Sequence, residues 1–234
     1  SRPLDANFSR YDARLSTPFS PAQVLHRRGR SRNAADGSPR ADPMIFPLFR
    51  RRVRPGTIST LYGTIVAQAR LPCFYREYRV PDTVNGRLDL LVLHLALVLD
   101  RLADESQLRE LGQALFDHFC TDMDRNLREI GIGDLSVPKH MQRVGEAFYG
   151  RARAYRAGLA RDGQQALVEA LERNIYGQEG AANRAAAARL AVYMRGTVGE
   201  LRVQPSSEVL AGRLTMPDPT AIVLVEDETF GAKD

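Results

Sequence analysis

The stretch Arg87–Leu102, RLDLLVLHLALVLDRL, decides the fold. Read as a helix, it is apolar nearly all the way round and offers no broad polar face to water. Such a helix is stable only with neighbours on every side, which places it at the centre of a helical bundle. It does not read as a membrane span, because LLVLHLALVL (Leu90–Leu99) is roughly half of the ~18 apolar residues that crossing requires. His94 lies within it, and a histidine in such surroundings reads as a hydrogen-bonded core residue in preference to a ligand.

Helical periodicity continues on both sides. TISTLYGTIVAQAR (Thr57–Arg70) carries Ile58, Leu61, Tyr62, Ile65, Val66 and Ala69 at the i, i+3, i+4, i+7 spacing. Pro72 breaks it, CFYREYRV follows as a short helix, and Pro81, Asp82 and Gly86 mark a loop. Glu105–Ile130 reads as one long helix or two, stopped by Gly131 and Gly133. Ser136 is placed to cap the next helix, with Pro138 just inside its start, and that helix runs to about Ala160. Further helices are expected over Gln164–Ile175, ending at Tyr176-Gly177, and over the alanine-rich Ala181–Leu201. No strand pairing is evident. The fold expected is all-α, a single-domain bundle of about six or seven helices with a disordered N-terminal extension.

Composition divides the chain unevenly. The 234 residues carry a net charge of +5, but residues 1–55 hold 12 Arg against 4 Asp, a local +8. Residues 56–234 hold 21 Lys and Arg against 24 Asp and Glu, so the body is mildly acidic. The high isoelectric point therefore does not argue for a nucleic-acid-binding fold. Residues 1–43, rich in Arg, Ser, Pro, Asp and Ala, read as disordered. Met44 opens MIFPLFRRRVRP like a natural start, and a transit peptide is the rival reading of what precedes it. The expected organisation is a basic extension over 1–55, a helical domain over 56–204 and a weakly structured tail over 205–234. Two cysteines, Cys73 and Cys120, have no metal-type spacing and read as reduced thiols packed in the core.

The charged stretch Phe116–Asp134, FDHFCTDMDRNLREIGIGD, is the main candidate site. At 100° per residue, Phe116, Phe119, Cys120, Met123, Leu127 and Ile130 fall inside one arc and face the core, and every charged residue falls outside it. Asp124–Arg128, Arg125–Glu129, Asp122–Arg125 and His118–Asp122 are all at pairing distance along the helix. Three uses are open: a solvated face laced with ion pairs, a face that binds a partner, or an acid/base or metal site. The last is disfavoured by geometry. Asp122 and Asp124 point apart, Asp117 and Asp124 are separated by about 10 Å of helix axis, and Arg128 stands beside Asp124. His94, His118 and His140 lack the spacing of a zinc site, and Gly131-Ile132-Gly133 lacks the lysine and strand of a phosphate loop. The aromatic patch Phe74, Tyr75 and Tyr78 reads as core packing or as a binding groove.

Three blocks, in this order and spacing, carry a resemblance. They are ARLPCFYREYRVPDTVNGRLDLLVLHLALVLDRL (Ala69–Leu102), FDHFCTDMDRNLREIGIGDLSVPK (Phe116–Lys139) and EAFYGRARAYRAGL (Glu146–Leu159). Together they resemble the ubiquinol–cytochrome c chaperone family, over roughly Leu61 to Ala160 with a looser continuation to about Leu201. Leu88 stands where the family usually has an aromatic, and Ile130 and Ile132 stand where Met and Val are common. Apolar bulk is kept at all three. The resemblance implies a non-enzymatic assembly factor for the cytochrome bc1 complex, of the bacterial form. It would bind newly made cytochrome b before haem insertion, with no cofactor, catalytic residue or metal. It also implies a ribosome or a small co-chaperone as further partners, and a bacterial cytoplasmic location, at the inner-membrane face or free of it. A mitochondrial matrix location would follow if the N-terminus is a transit peptide.

The partner face expected on that reading comprises Tyr75, Asp82, Arg87, Asp117, Asp122, Asp124, Arg125, Arg128, Glu129 and Asp134. Arg50, Arg51, Arg52 and Arg54, behind Ile45, Phe46, Leu48 and Phe49, are the candidate contact to anionic lipid or ribosomal RNA. Two other classes compete with the chaperone: a small helical enzyme using Asp117, His118 or Asp122, and a ribosome- or RNA-associated protein acting through residues 44–55.

Overall fold

Thr83 sets the start of the central helix. Its hydroxyl accepts the backbone N–H of Gly86 at 3.1 Å, the bond an N-cap residue makes. In the computed structural model, which describes residues 55–177 and 180–222, that helix is α3 (Val84–Ala103), after α1 (Pro55–Ala69) and the single turn α2 (Pro72–Arg76). A 3-10 turn, Ser106–Leu108, leads into α4 (Arg109–Glu129), followed by α5 (Val137–Leu159) and α6 (Gln165–Leu171). α6 widens into a π-helical turn, Glu172–Tyr176, and α7 (Ala181–Val203), the short α8 (Ser206–Leu210) and a 3-10 turn, Pro219–Ala221, follow. Among the described residues every regular element is helical, as the periodicity implies. The expected N-terminal disorder concerns residues outside those described.

α3 packs against α1, α4, α5 and α7 and buries Leu90, Leu93, Leu95, Leu97 and Val98 on all of its sides. The all-round apolar pattern is thus spent on all-round contact. α3 and α4 form an antiparallel hairpin in which Gly112 packs directly on Leu99 and Leu102. α5 returns along α4 through an aromatic seam, with the Phe116 and Phe148 ring centroids 5.0 Å apart and Phe119 to Phe148 at 5.9 Å. α5 and α6 meet at Gly158, where a Cβ would stand 2.7 Å from Leu167 Cα, so only glycine admits this approach.

Two local expectations are corrected. Ser136 stands at the N-cap of α5, but its backbone is αR and its hydroxyl makes no cap bond. The first turn rests instead on backbone bonds such as Val137 N–H to Gly133 O at 3.2 Å. Ile130, assigned to the buried arc of α4, is 74 % exposed, because the last turn of α4 runs past the neighbours that cover Phe116 and Phe119.

Residues 205–222, part of the stretch read as a tail, lie against the bundle. Gln204 bonds Thr215 in both directions, Nε2 to O at 2.7 Å and Oε1 from the backbone N–H at 2.9 Å. Leu214, Met216 and Ile222 pack on the core. The carbonyls of Pro217 and Pro219 accept from Gln68 Nε2 at 2.8 Å and from Tyr78 Oη at 2.7 Å.

Candidate partner-docking surface

Three of the expected residues converge. Arg87, in the first turn of α3, donates from Nε to Asp82 Oδ1 at 2.8 Å, and its guanidinium lies 5.9 Å from the centroid of the Tyr75 ring. Tyr75 is fixed in turn by a 3.0 Å bond from its hydroxyl to Ala69 O at the end of α1. The Asp82 carboxylate raises the pKa of Arg87, and both side chains of the pair are exposed. Val84 stands beside it, 85 % exposed.

The α4 residues divide into two kinds. Asp124, Arg128 and Asp134 form one exposed group: Arg128 Nε reaches Asp124 Oδ2 at 2.9 Å and Nη1 pairs with Asp134 across the turn that follows. The Asp124 carboxylate raises the pKa of Arg128. Arg125 pairs with Asp122 and lies 3.9 Å from Glu129. Asp117 accepts from Gln113 Nε2 at 2.9 Å and is exposed about two turns before Asp124 on the same side of the helix. Asp122 belongs to the scaffold, since the half-buried carboxylate takes a 2.9 Å bond from Tyr62 Oη and ties α1 to α4. Burial, with the Asp122 bond, pushes the Tyr62 hydroxyl far above its ordinary range, so it remains a donor. His118, expected to pair with Asp122, packs edge-on against Tyr62 with ring centroids 4.9 Å apart.

These placements bear on the competing chemistry. His118 and Asp122 both contact Tyr62, one through its ring and the other through its hydroxyl, whereas Asp117 pairs with Gln113, so the three do not form one acid/base group. Among the described residues no three His, Cys, Asp or Glu side chains come together as metal ligands, and no helix is long and apolar enough to cross a membrane. Cys73 and Cys120 are free and half-buried, and burial pushes the Cys120 thiol up to about 12, which leaves it protonated and unreactive. Phe74 and Tyr78 are fully buried, so the aromatic patch is core apart from Tyr75. Arg50, Arg51, Arg52 and Arg54 lie outside the described residues.

The feature that the pattern hid is apolar. Ile130 and Leu135, the latter 99 % exposed, stand on the α4–α5 elbow between the paired charges. Gly131 makes the elbow by adopting φ +89°, and the Ile132 N–H closes back on Leu127 O at 3.0 Å, a left-handed helix stop. In the antiparallel α3/α4 hairpin, the start of α3 with Arg87 and Val84 and the end of α4 with Arg125 and Glu129 lie at the same end. The two charged groups therefore share one end of the hairpin, each beside exposed aliphatic side chains. A run of apolar residues stopped by two glycines, Ile130-Gly131-Ile132-Gly133, is the signal that marks this elbow in the sequence.

The ubiquinol–cytochrome C chaperone family profile matches residues 76–216, more than half of the chain. The chain belongs to this family. The match starts later than the resemblance read from the three blocks and runs further, across α7 and into the segment that packs behind it. The crystal structure of the Cbp3 homolog from Brucella abortus is similar at 38% identity and a TM-score of 0.66, covering 72% of this chain and 92% of that one. The mouse ubiquinol–cytochrome c reductase complex assembly factor 1 is 24% identical over 120 residues, 51% of this chain. This ubiquinol–cytochrome c chaperone family member spans 40% of the length of the mouse protein. The matched span includes Asp82, Arg87 and the whole α4–α5 elbow.

Proposed function

We propose that this protein is an assembly chaperone of the cytochrome bc1 complex. It binds newly made cytochrome b before haem insertion and acts without catalysing a reaction. Membership of the family, over residues 76–216, is the observation that carries the reading. The likeness to the Brucella Cbp3 homolog over 92% of that chain supports it.

The end of the α3/α4 hairpin is the docking surface on this reading. Exposed Ile130, Leu135 and Val84 supply apolar contact, and the groups Asp82–Arg87 and Asp124–Arg128–Asp134 frame them. Apolar contact inside a charged rim is the usual anatomy of a protein interface, and the rim sets orientation and on-rate more than affinity.

The test is crosslinking and co-purification from native cells with tagged wild type and with the double reversal Arg125→Glu/Arg128→Glu, followed by mass spectrometry. Wild type should enrich cytochrome b, and the reversal should lose that enrichment with its helical circular dichroism unchanged. Enrichment that survives the reversal would move the docking surface elsewhere. Wild type that crosslinks to no cytochrome b would sink the functional reading itself.

A further inference from the structure

α3 and α5 are joined by a polar group that the docking surface does not use. Asp89, on α3 and 8 % exposed, receives Nη2 of Arg151 at 2.7 Å. Tyr155 stands one turn after Arg151 on the same face of α5, only 1 % exposed, and its hydroxyl feels the charges of both Arg151 and Asp89. Two buried polar atoms of this group have no protein partner: Nε of Arg151 and Oη of Tyr155. Buried donors left unmade are costly, and native interiors leave few of them.

The chemistry of the group restricts what completes it. Nε of arginine can only donate, and a tyrosine hydroxyl donates and accepts. The occupant must therefore accept from the guanidinium and be able to bond the hydroxyl. It must also be neutral, because an anion would face the Asp89 carboxylate and a cation the Arg151 guanidinium. It must be small, because the side chains around it are packed into the core. Water meets all four conditions, and buried waters typically make about three hydrogen bonds to groups of this kind.

We propose that Arg151 Nε and Tyr155 Oη, beside the Asp89 carboxylate, hold one buried water that is an integral part of the α3–α5 seam. The water links the Asp89–Arg151 contact to Tyr155. The proposal concerns the seam alone and stands whether or not the elbow binds a client.

Tyr155→Phe in the full chain tests it by sign. If the hydroxyl bonds a water, its removal lowers Tm by about 2–4 °C, the shift that one lost hydrogen bond causes in a chain of this size. If the hydroxyl is an orphan, its removal leaves Tm unchanged or raises it, and the proposal fails. A crystal structure of the full chain, at a resolution that shows ordered solvent, gives a second reading. A solvent peak within hydrogen-bond reach of both Tyr155 Oη and Arg151 Nε is expected, and it should vanish in Arg151→Lys, which keeps the charge and loses that donor. A protein acceptor on both atoms would overturn the assignment.

Discussion

His94 and Asp89 lie little more than one turn apart on α3, both buried and both titratable, and the bundle handles them in opposite ways. His94 is fully partnered. Its Nδ1 donates to Leu90 O at 2.7 Å, because a carbonyl can only accept, and its Nε2 therefore accepts from Tyr193 Oη at 2.9 Å. Tyr193 Oη accepts in turn from Gln68 Nε2 at 3.0 Å, whose second N–H reaches Pro217 O. Burial holds His94 neutral, down to about 4 from the ordinary histidine value of 6.5. Asp89 has its one close cation in Arg151, and burial pushes its carboxyl up to about 6 against the pull of that cation. A neutral chain of bonds can thread four elements of a core at little cost. The Asp89–Arg151 ion pair, although shallower, keeps a desolvation penalty that its attraction does not cover.

The comparison can be broken most strongly at Tyr193. Tyr193→Phe keeps the ring against Phe74 and His94 but leaves His94 Nε2 and a Gln68 N–H without their shared partner. A loss of about 1–3 kcal/mol in denaturant unfolding is expected, the usual cost of stranding buried polar groups. A loss near zero would mean that the chain of bonds adds nothing to packing.

Titration sharpens the contrast. The folded state binds a proton at His94 less readily than the unfolded chain, so its contribution is complete above pH 6.5 and is lost as pH falls toward 4. Asp89 runs the other way. The folded state holds its proton up to about pH 6, so its contribution is complete below the ordinary 3.8 and is lost as pH rises through 6. The Tm of Asp89→Asn relative to wild type should therefore climb between pH 4 and pH 7. That of His94→Gln relative to wild type should climb as pH falls from 6.5 to 4. A flat difference for either variant removes that residue from the linkage.

The smallest stability effect belongs to the elbow. Arg125→Glu/Arg128→Glu disrupts exposed pairs screened by water and salt, and its Tm should move less than that of Tyr193→Phe. A larger drop would show that the Asp122–Tyr62 tie between α1 and α4 depends on Arg125.

What was legible in the sequence follows from the range of the forces involved. α3 was readable as the central helix because its burial is written in its own periodicity, and His94 as a core residue because its neighbours are all apolar. The convergence of Tyr75, Asp82 and Arg87 was accessible because they are close in the chain. Asp122 was misplaced on the open face because its partner, Tyr62, lies on another helix and periodicity carries no record of it. Ile130 was assigned inward because a helical wheel says which way a residue points and nothing about where the neighbouring helices end. The packing of residues 213–222 had no pattern to reveal it, since the anchoring atoms of Pro217 and Pro219 are backbone carbonyls that every residue possesses.

Those two carbonyls also set an order of events in folding. The bonds Gln68–Pro217 and Tyr78–Pro219 close loops of 149 and 141 residues, among the most distant pairings in the described chain. Loops of that length are slow to close, and a chain made from its N-terminus cannot close them until Pro217 and Pro219 have left the ribosome. α1 to α6 can therefore collapse around α3 during synthesis while the polar edge at Gln68 and Tyr78 waits. The segment after Pro205 is the final clasp, and a stalled or truncated chain would persist with that edge open to solvent and to other chains.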